Sequence, residues 1–146
     1  NAHEKRAVEI IKEVMPDAFV SASSEVVNVI REYERFSSTA MNAYIGPKTA
    51  LYLRSLESRL KKNDITATVR IMQSNGGIST IDQSASRPIG LLLSGPAGGV
   101  IGGRWTGGHC DTGNVITIDI GGTSADISVI QDGELRCKER EISSLS

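Results

Sequence analysis

From residue 4 to residue 14 the apolar side chains Ala7, Ile10, Ile11 and Val14 recur at helical spacing, and Pro16 stands where a helix must stop, so a short amphipathic helix is expected. "AFVSAS" reads as a brief strand, after which Ser24 is placed to cap a helical turn carrying Val26, Val27 and Ile30. A second cap is available at Ser37 or Ser38, and Gly46-Pro47 is expected to break the chain. Beyond it, Tyr52, Leu53, Leu56 and Leu60 make one stripe with Arg54, Glu57, Ser58 and Lys61 on the wet side. That pattern predicts a helix over 48–62.

The period then changes. "TATVRIMQS" alternates, Asn75-Gly76-Gly77 turns the chain and "ISTI" is read as a returning strand. The apolar run Leu91-Leu92-Leu93 passes through Ser94-Gly95-Pro96 into a small-residue stretch, which reads as a buried strand entering a helix. On such a helix Gly98 and Gly102, like Gly99 and Gly103, lie four apart, and their missing side chains invite close backbone approach at about 1 kcal/mol each in propensity. The tail predicts strands over 115–120, 125–130 and about 134–141, joined as an antiparallel meander by the Asp132-Gly133 turn. The expected class is α/β, with helices mainly before residue 65 and strands after it.

Composition narrows the partners. The 146 residues amount to about one ordinary domain. Sixteen basic against 17 acidic residues leave a net charge of −1, which attracts neither nucleic acid nor an anionic membrane surface. Cys110 and Cys137 lack CxxC spacing and suit reduced thiols in a cytoplasm better than a disulfide scaffold. No apolar run approaches the roughly 20 residues of a membrane span. The missing initiator methionine and the abrupt "EISSLS" end suggest a piece of a longer protein.

The corner "DIGGTS" poses the main chemical question. Ile116, Ile118 and Ile120 share one side of their strand, so Asp119 faces the other and emerges beside the turn. Bare amides at Gly121 and Gly122, with hydroxyls on Thr123 and Ser124, make an anion-binding concavity, and the neighbouring carboxylate can hold a hydrated divalent cation. The same residues also suit an ordinary two-glycine hairpin. "SGPAGGVIGG" offers a helix N-terminus beginning after Pro96, with its free N–H groups and positive dipole end above Ser94 and Gly95, suited to phosphate. It matches neither the P-loop nor the Rossmann pattern, and a glycine helix packed on a sheet explains it equally.

Taken in order, "NAYIGPKTALYLRSLESRL", "MQSNGG", "LLLSGPAGGVIGG" and "VITIDIGGTSADISVIQDG", with "YERFSSTAMNAY" just upstream, resemble the hydantoinase A/5-oxoprolinase family. The likeness runs from about His3 to Gly133. It implies a partial ribonuclease-H-like fold of the actin, sugar-kinase and heat-shock-chaperone type, in which two lobes close over ATP. Residues 1–146 would be a single fragment, with the second lobe opening near 115–141. Asp119 would then be the catalytic residue, positioning Mg²⁺ or Mn²⁺ or a water; Gly121, Gly122, Thr123 and Ser124 would hold phosphate, and Ser94, Gly95, Gly98 and Gly99 would line the cleft. The activity implied is ATP-dependent hydrolysis of a small cyclic amide, with a hydantoinase B-type subunit or domain as partner. ATP-dependent ketone carboxylation within the same family, or a non-enzymatic actin-like ATP switch, is the alternative. The first phosphate corner, the adenosine segments and the residues that recognise the ring would lie outside this chain, so the piece alone should not turn over ATP. Ala125 stands where members often carry threonine, and Gly98 where many carry alanine.

The remaining polar and aromatic residues have plainer readings. His109-Cys110-Asp111 has no second group at ligand spacing and reads as a loop. His3 is solvated near a free end, "RLKK" closes a helix where basic residues meet the negative dipole end, and Trp105 and Tyr52 are core or interface anchors. The resemblance also sets Gln73 to Gly77 at the border of the ATP cleft, and Asp126 has two roles open, reaching the phosphate zone or stabilising the turn.

Overall fold

A computed structural model describes residues 1–122 and 124–135; Thr123, Cys137 and the expected third strand beyond Leu135 lie outside the described residues. The chain divides into two compact units, residues 1–94 and 95–146.

The first unit is helical around one long element. Helix α1 spans Ala2–Val14, α2 is the single turn Ser23–Val26 and α3 runs from Glu32 to Lys62. The expected strand at 18–23 is absent: residues 18–22 are irregular, and Ser21 and Ser23 instead bond to other segments. Nor does Ser24 cap α2, which starts a residue earlier with no side-chain cap. Glu4 explains why: its carboxylate accepts from the Ser23 hydroxyl, while Arg35 donates to both Ser23 and Glu4, tying α1, α2 and α3 together.

Gly46-Pro47 does not break the chain, and Ser37, expected as a cap, lies inside α3 with its hydroxyl donating to the Tyr33 carbonyl at 2.8 Å. An interior proline costs a helix about 3 kcal/mol, so packing across it must compensate. Asn42, Gly46 and Leu53, about one and then two turns apart, are buried along one side of α3 and flank the proline. The Phe19 ring lies over Gly46 so closely that a Cβ there would overlap it. Asn42, fully buried, donates to the Ser21 hydroxyl at 3.0 Å and accepts from the Ile89 amide at 3.1 Å. Leu53 packs with Ile81 and Ala85, joined by Ala50, Val69, Ile71 and Leu91.

The alternating stretch after residue 65 yields only a two-residue hairpin, β1 (Ile71–Met72) with β2 (Ile78–Ser79). Gly76 takes φ 78° at its turn. "ISTI" does not continue as a strand, because Thr80 and Gln83 form a reciprocal capping box that starts α4 (Ile81–Ser86). Pro88–Leu91 is a 3₁₀ turn. The leucine run is therefore not a buried strand: Leu92 and Leu93 are 39% and 79% exposed, and Leu93 sits at φ 59°. Helices lie mainly before residue 65 and every described strand after it, as expected, although α4 and the 3₁₀ turn add helical structure after residue 65 that the alternating pattern did not predict.

In the second unit α5, Ser94–His109, starts three residues earlier than expected, placing Pro96 in its first turn, where proline is tolerated. The predicted meander is present as β3 (Val115–Ile120), β4 (Ala125–Gln131) and β5 (Glu134–Leu135), antiparallel in that order. The isoleucines do share one face of β3, but that face is open: Ile116, Ile118 and Ile120 are 66%, 62% and 76% exposed. The opposite face, with Val115 and Thr117, carries α5. Asp132 and Gly133 turn the tip with positive φ, and Asn114 accepts from the Asp132 amide at 3.0 Å.

Candidate functional site

Strand register places the acidic residues. Asp119 pairs with Asp126, one step from the Ile120–Ala125 pair that closes β3 onto β4. Directly opposed residues share a face, so both carboxylates lie on the face that holds Val115 and Thr117, and both residues are exposed. Like charges set opposite one another destabilise a hairpin unless something positive offsets them. Within the loop, the Gly121 amide donates to the Ser124 carbonyl at 2.9 Å. It is therefore not bare, and Gly122 keeps the corner's open backbone. Neither glycine has the positive φ that would require it, and a Cβ on Gly122 would meet nothing within 4 Å.

The glycines of α5 divide into two groups. A Cβ on Gly103 would overlap the Thr117 methyl, and one on Gly107 would come within 2.6 Å of Val115 and 2.9 Å of the Thr112 carbonyl. These two permit helix and sheet to touch. As the helix number falls from 107 to 103 the strand number rises from 115 to 117, so α5 runs antiparallel to β3. Four helical residues advance about 6 Å and two strand residues about 7 Å. That direction sets the start of α5 towards the Asp119 end of β3. Yet a Cβ on Gly95 or Gly99 would meet nothing within 4 Å. The glycine-rich start of α5 and the two carboxylates thus occupy the same end of this unit, beside open space. Gly98 is half-buried there, and Ser94, the first residue of α5, is also half-buried.

Gln73 to Gly77 form the β1–β2 turn in the first unit: Gln73 donates its amide to the Gly77 carbonyl at 2.8 Å, and the Asn75 side chain accepts from the Gly77 amide at 2.9 Å. His109 ends α5 and Cys110-Asp111 turn the chain after it, with the His109 ring tilted against Trp105 at a centroid distance of 4.0 Å and Cys110 exposed. Trp105 and Tyr52, at 66% and 65% exposure, are not core residues. Among the described residues no three His, Cys, Asp and Glu side chains converge on a metal position, and no described helix is long and apolar enough to cross a membrane.

The hydantoinase/oxoprolinase family model matches residues 35–145. The chain belongs to that family. It is 35% identical to the caprolactamase alpha subunit of Pseudomonas jessenii, a match covering 90% of this chain and 19% of that one. It is 37% identical to the 5-oxoprolinase of Saccharomyces cerevisiae, over 91% of this chain and 10% of the enzyme. A nucleotide-free structure of acetone carboxylase superposes on 91% of the chain with a TM-score of 0.75 at 28% identity, and the chain covers 19% of it. This member of the family therefore spans a fifth or less of each of these relatives.

Proposed function

We propose that this chain supplies one phosphate-binding corner of an ATP-dependent enzyme that opens cyclic amides. The reading is supported by the strand register that sets Asp119 opposite Asp126 beside the Gly121-Gly122 corner, and by Gly95, Gly99 and Gly122, where a Cβ would meet no atom of the described residues within 4 Å. A helix glycine with no packing duty costs about 1 kcal/mol, and two carboxylates set directly opposite one another add a further cost. A nucleotide phosphate with its cation relieves both. The Gly122 amide, the Ser124 hydroxyl and the first amides of α5 would hold phosphate oxygens, with Thr123 and the Ser94, Gly95, Gly98 and Gly99 segment beside them. Gly121 would shape the loop, since its own amide is already used.

The donor set fits Mg²⁺ or Mn²⁺. Two carboxylates leave the remaining coordination positions to water and phosphate oxygens, the usual arrangement for magnesium. When bound, the ion supplies charge neutralisation for phosphoryl transfer, and Asp119 would hold or orient it. In the reaction, the substrate carbonyl oxygen attacks the γ-phosphorus and ADP leaves. Water then adds to the activated carbon, the C–N bond breaks and phosphate is released. Caprolactam and 5-oxoproline, named by the relatives, are both cyclic amides. On this reading the unit is the start of an actin-like lobe, and a second subunit or domain completes the activity, as the name of the caprolactamase alpha subunit suggests. The likeness to acetone carboxylase favours a second reading, in which the carbonyl activated is a ketone's and bicarbonate is consumed.

Asp119→Ala tests the first reading in an enzyme of the relatives' full length. ATP-dependent opening of 5-oxoproline should fall about a hundred- to a thousandfold, the scale of losing a main electrostatic contact, with thermal stability not lowered, since the substitution removes one of two opposed like charges. Wild-type turnover refutes the corner's role, and turnover that requires bicarbonate and a ketone favours the carboxylase.

A further inference from the structure

The first unit contains a cleft of about 410 Å³ between the segment from Val20 to Val26, the β1–β2 hairpin and α4. It lies wholly within residues 1–94 and uses none of the corner residues. We propose that this cleft binds the amide edge of a small lactam or hydantoin ring through the Gln73 carboxamide. The inference rests on the cyclic-amide reading above and differs from the expectation that ring recognition lies outside this chain.

The walls are built to hold still. Fully buried Asn42 bonds to the Ser21 hydroxyl and to the Ile89 amide, and buried Ser79 and Ser84 share a hydrogen bond at 2.5 Å. Ser21 and Ser79 line the cleft, so these networks fix its floor; satisfied buried polar groups of this kind rigidify their surroundings. The Gln73 backbone is pinned on both sides, its amide to Gly77 and its carbonyl to the Gly76 amide, while the next amide, of Ser74, reaches the Gly90 carbonyl at 2.7 Å. Gly90 lies beside the Gln73 side chain; a Cβ there would be 3.5 Å from Nε2. Gln83, also lining the cleft, spends its side-chain oxygen on the α4 cap. Among the described residues the Gln73 carboxamide makes no hydrogen bond of its own.

A primary carboxamide presents a donor N–H and an acceptor oxygen along one edge. An amide in a five- to seven-membered ring is held cis, so its N–H and C=O also lie along one edge, and the two edges pair through two parallel hydrogen bonds. Open-chain secondary amides are trans by about 2.5 kcal/mol or more and place those groups on opposite edges. Gln73 therefore selects ring amides over peptides. Arg87, exposed at the rim, is in no ion pair among the described residues, which favours a ring that bears a carboxylate, such as 5-oxoproline.

Titration of the 146-residue chain with 5-oxoproline, hydantoin and N-methylacetamide, followed by two-dimensional amide NMR without nucleotide, tests this. Both rings should shift the resonances of Gln73, Ser79 and Gln83, and N-methylacetamide should not. Gln73→Leu should weaken both rings about tenfold, the worth of one or two net hydrogen bonds. Arg87→Met should weaken 5-oxoproline alone, and unchanged spectra of the free variants would show intact folds. Absence of ring-induced shifts, equal response to the open-chain amide, or undiminished affinity in Gln73→Leu each overturns the proposal. These outcomes are independent of the Asp119→Ala result: ring binding without any role for Asp119 refutes the nucleotide corner, and an essential Asp119 without ring binding refutes the cleft.

Discussion

The two ends of α5 carry the same residue for different reasons. At its C-terminal end Gly103 and Gly107 are explained by the sheet, because Thr117 and Val115 occupy the space a side chain would need. At its N-terminal end Gly95 and Gly99 are explained by nothing in the described fold. The acidic residues divide similarly. Glu4 has its charge answered by Ser23 and Arg35, whereas Asp119 faces Asp126. Residues that satisfy the fold report on stability, and residues that the fold leaves unsatisfied report on what the protein binds.

The largest effect outside catalysis should come from the explained glycines. Gly107→Ala puts a methyl against both Val115 and a backbone carbonyl that cannot rotate away, and should destabilise the second unit by about 1–3 kcal/mol, the usual cost of overpacking. Urea unfolding followed through Trp105 fluorescence measures it. A neutral result would mean that α5 and β3 are not in contact, and the antiparallel run that sets the start of α5 towards the Asp119 end of the sheet would fall with it. Gly103→Ala should cost a similar amount, since its methyl would overlap that of Thr117, a stiff β-branched side chain, with Ile130 beside it.

A smaller effect of opposite sign should come from the other end. Gly99→Ala meets no atom within 4 Å and should stabilise the chain by about 0.5–1 kcal/mol through helix propensity. In the full-length enzyme the same methyl would enter the proposed phosphate space and raise the KM for ATP. Stabilisation with unchanged KM would remove Gly99 from the site while leaving the helix intact.

Much of this was legible in the residues themselves. The β3–β4–β5 meander followed from period-two alternation and Asp132-Gly133, and α1 and the later half of α3 from apolar spacing. The corner residues were visible too, although the alternation could not show that the isoleucine face lies open or that the Gly121 amide is spent on Ser124. Long-range compensation hid the rest. Nothing local in "YIGPKT" announces that buried Asn42 and Leu53 hold the helix together across Pro47. The missed α4 had a local signal, the Thr80-x-x-Gln83 capping box, obscured by the β-branched run before it. The cleft around Gln73 could not be read at all, since its walls come from three segments that only the tertiary fold assembles.

The smallest effect sharpens the contrast among carboxylates. Hydrogen bonding from Ser23, aided by the Arg35 guanidinium, lowers the Glu4 pKa from 4.5 to about 2. Because the folded value lies below the unfolded one, the contribution is fully present above about pH 4.5. It is lost progressively as pH falls toward 2. Glu4→Gln should therefore be less stable than wild type at neutral pH, and the difference should shrink toward zero as pH falls through that window, read from the melting temperatures of the two proteins. Partial exposure of both Glu4 and Arg35, at 33% and 32%, limits its size, because water screens a half-open ion pair. A gap that stays constant down to pH 2 would show that the Glu4 charge plays no part in tying α1 to α2 and α3.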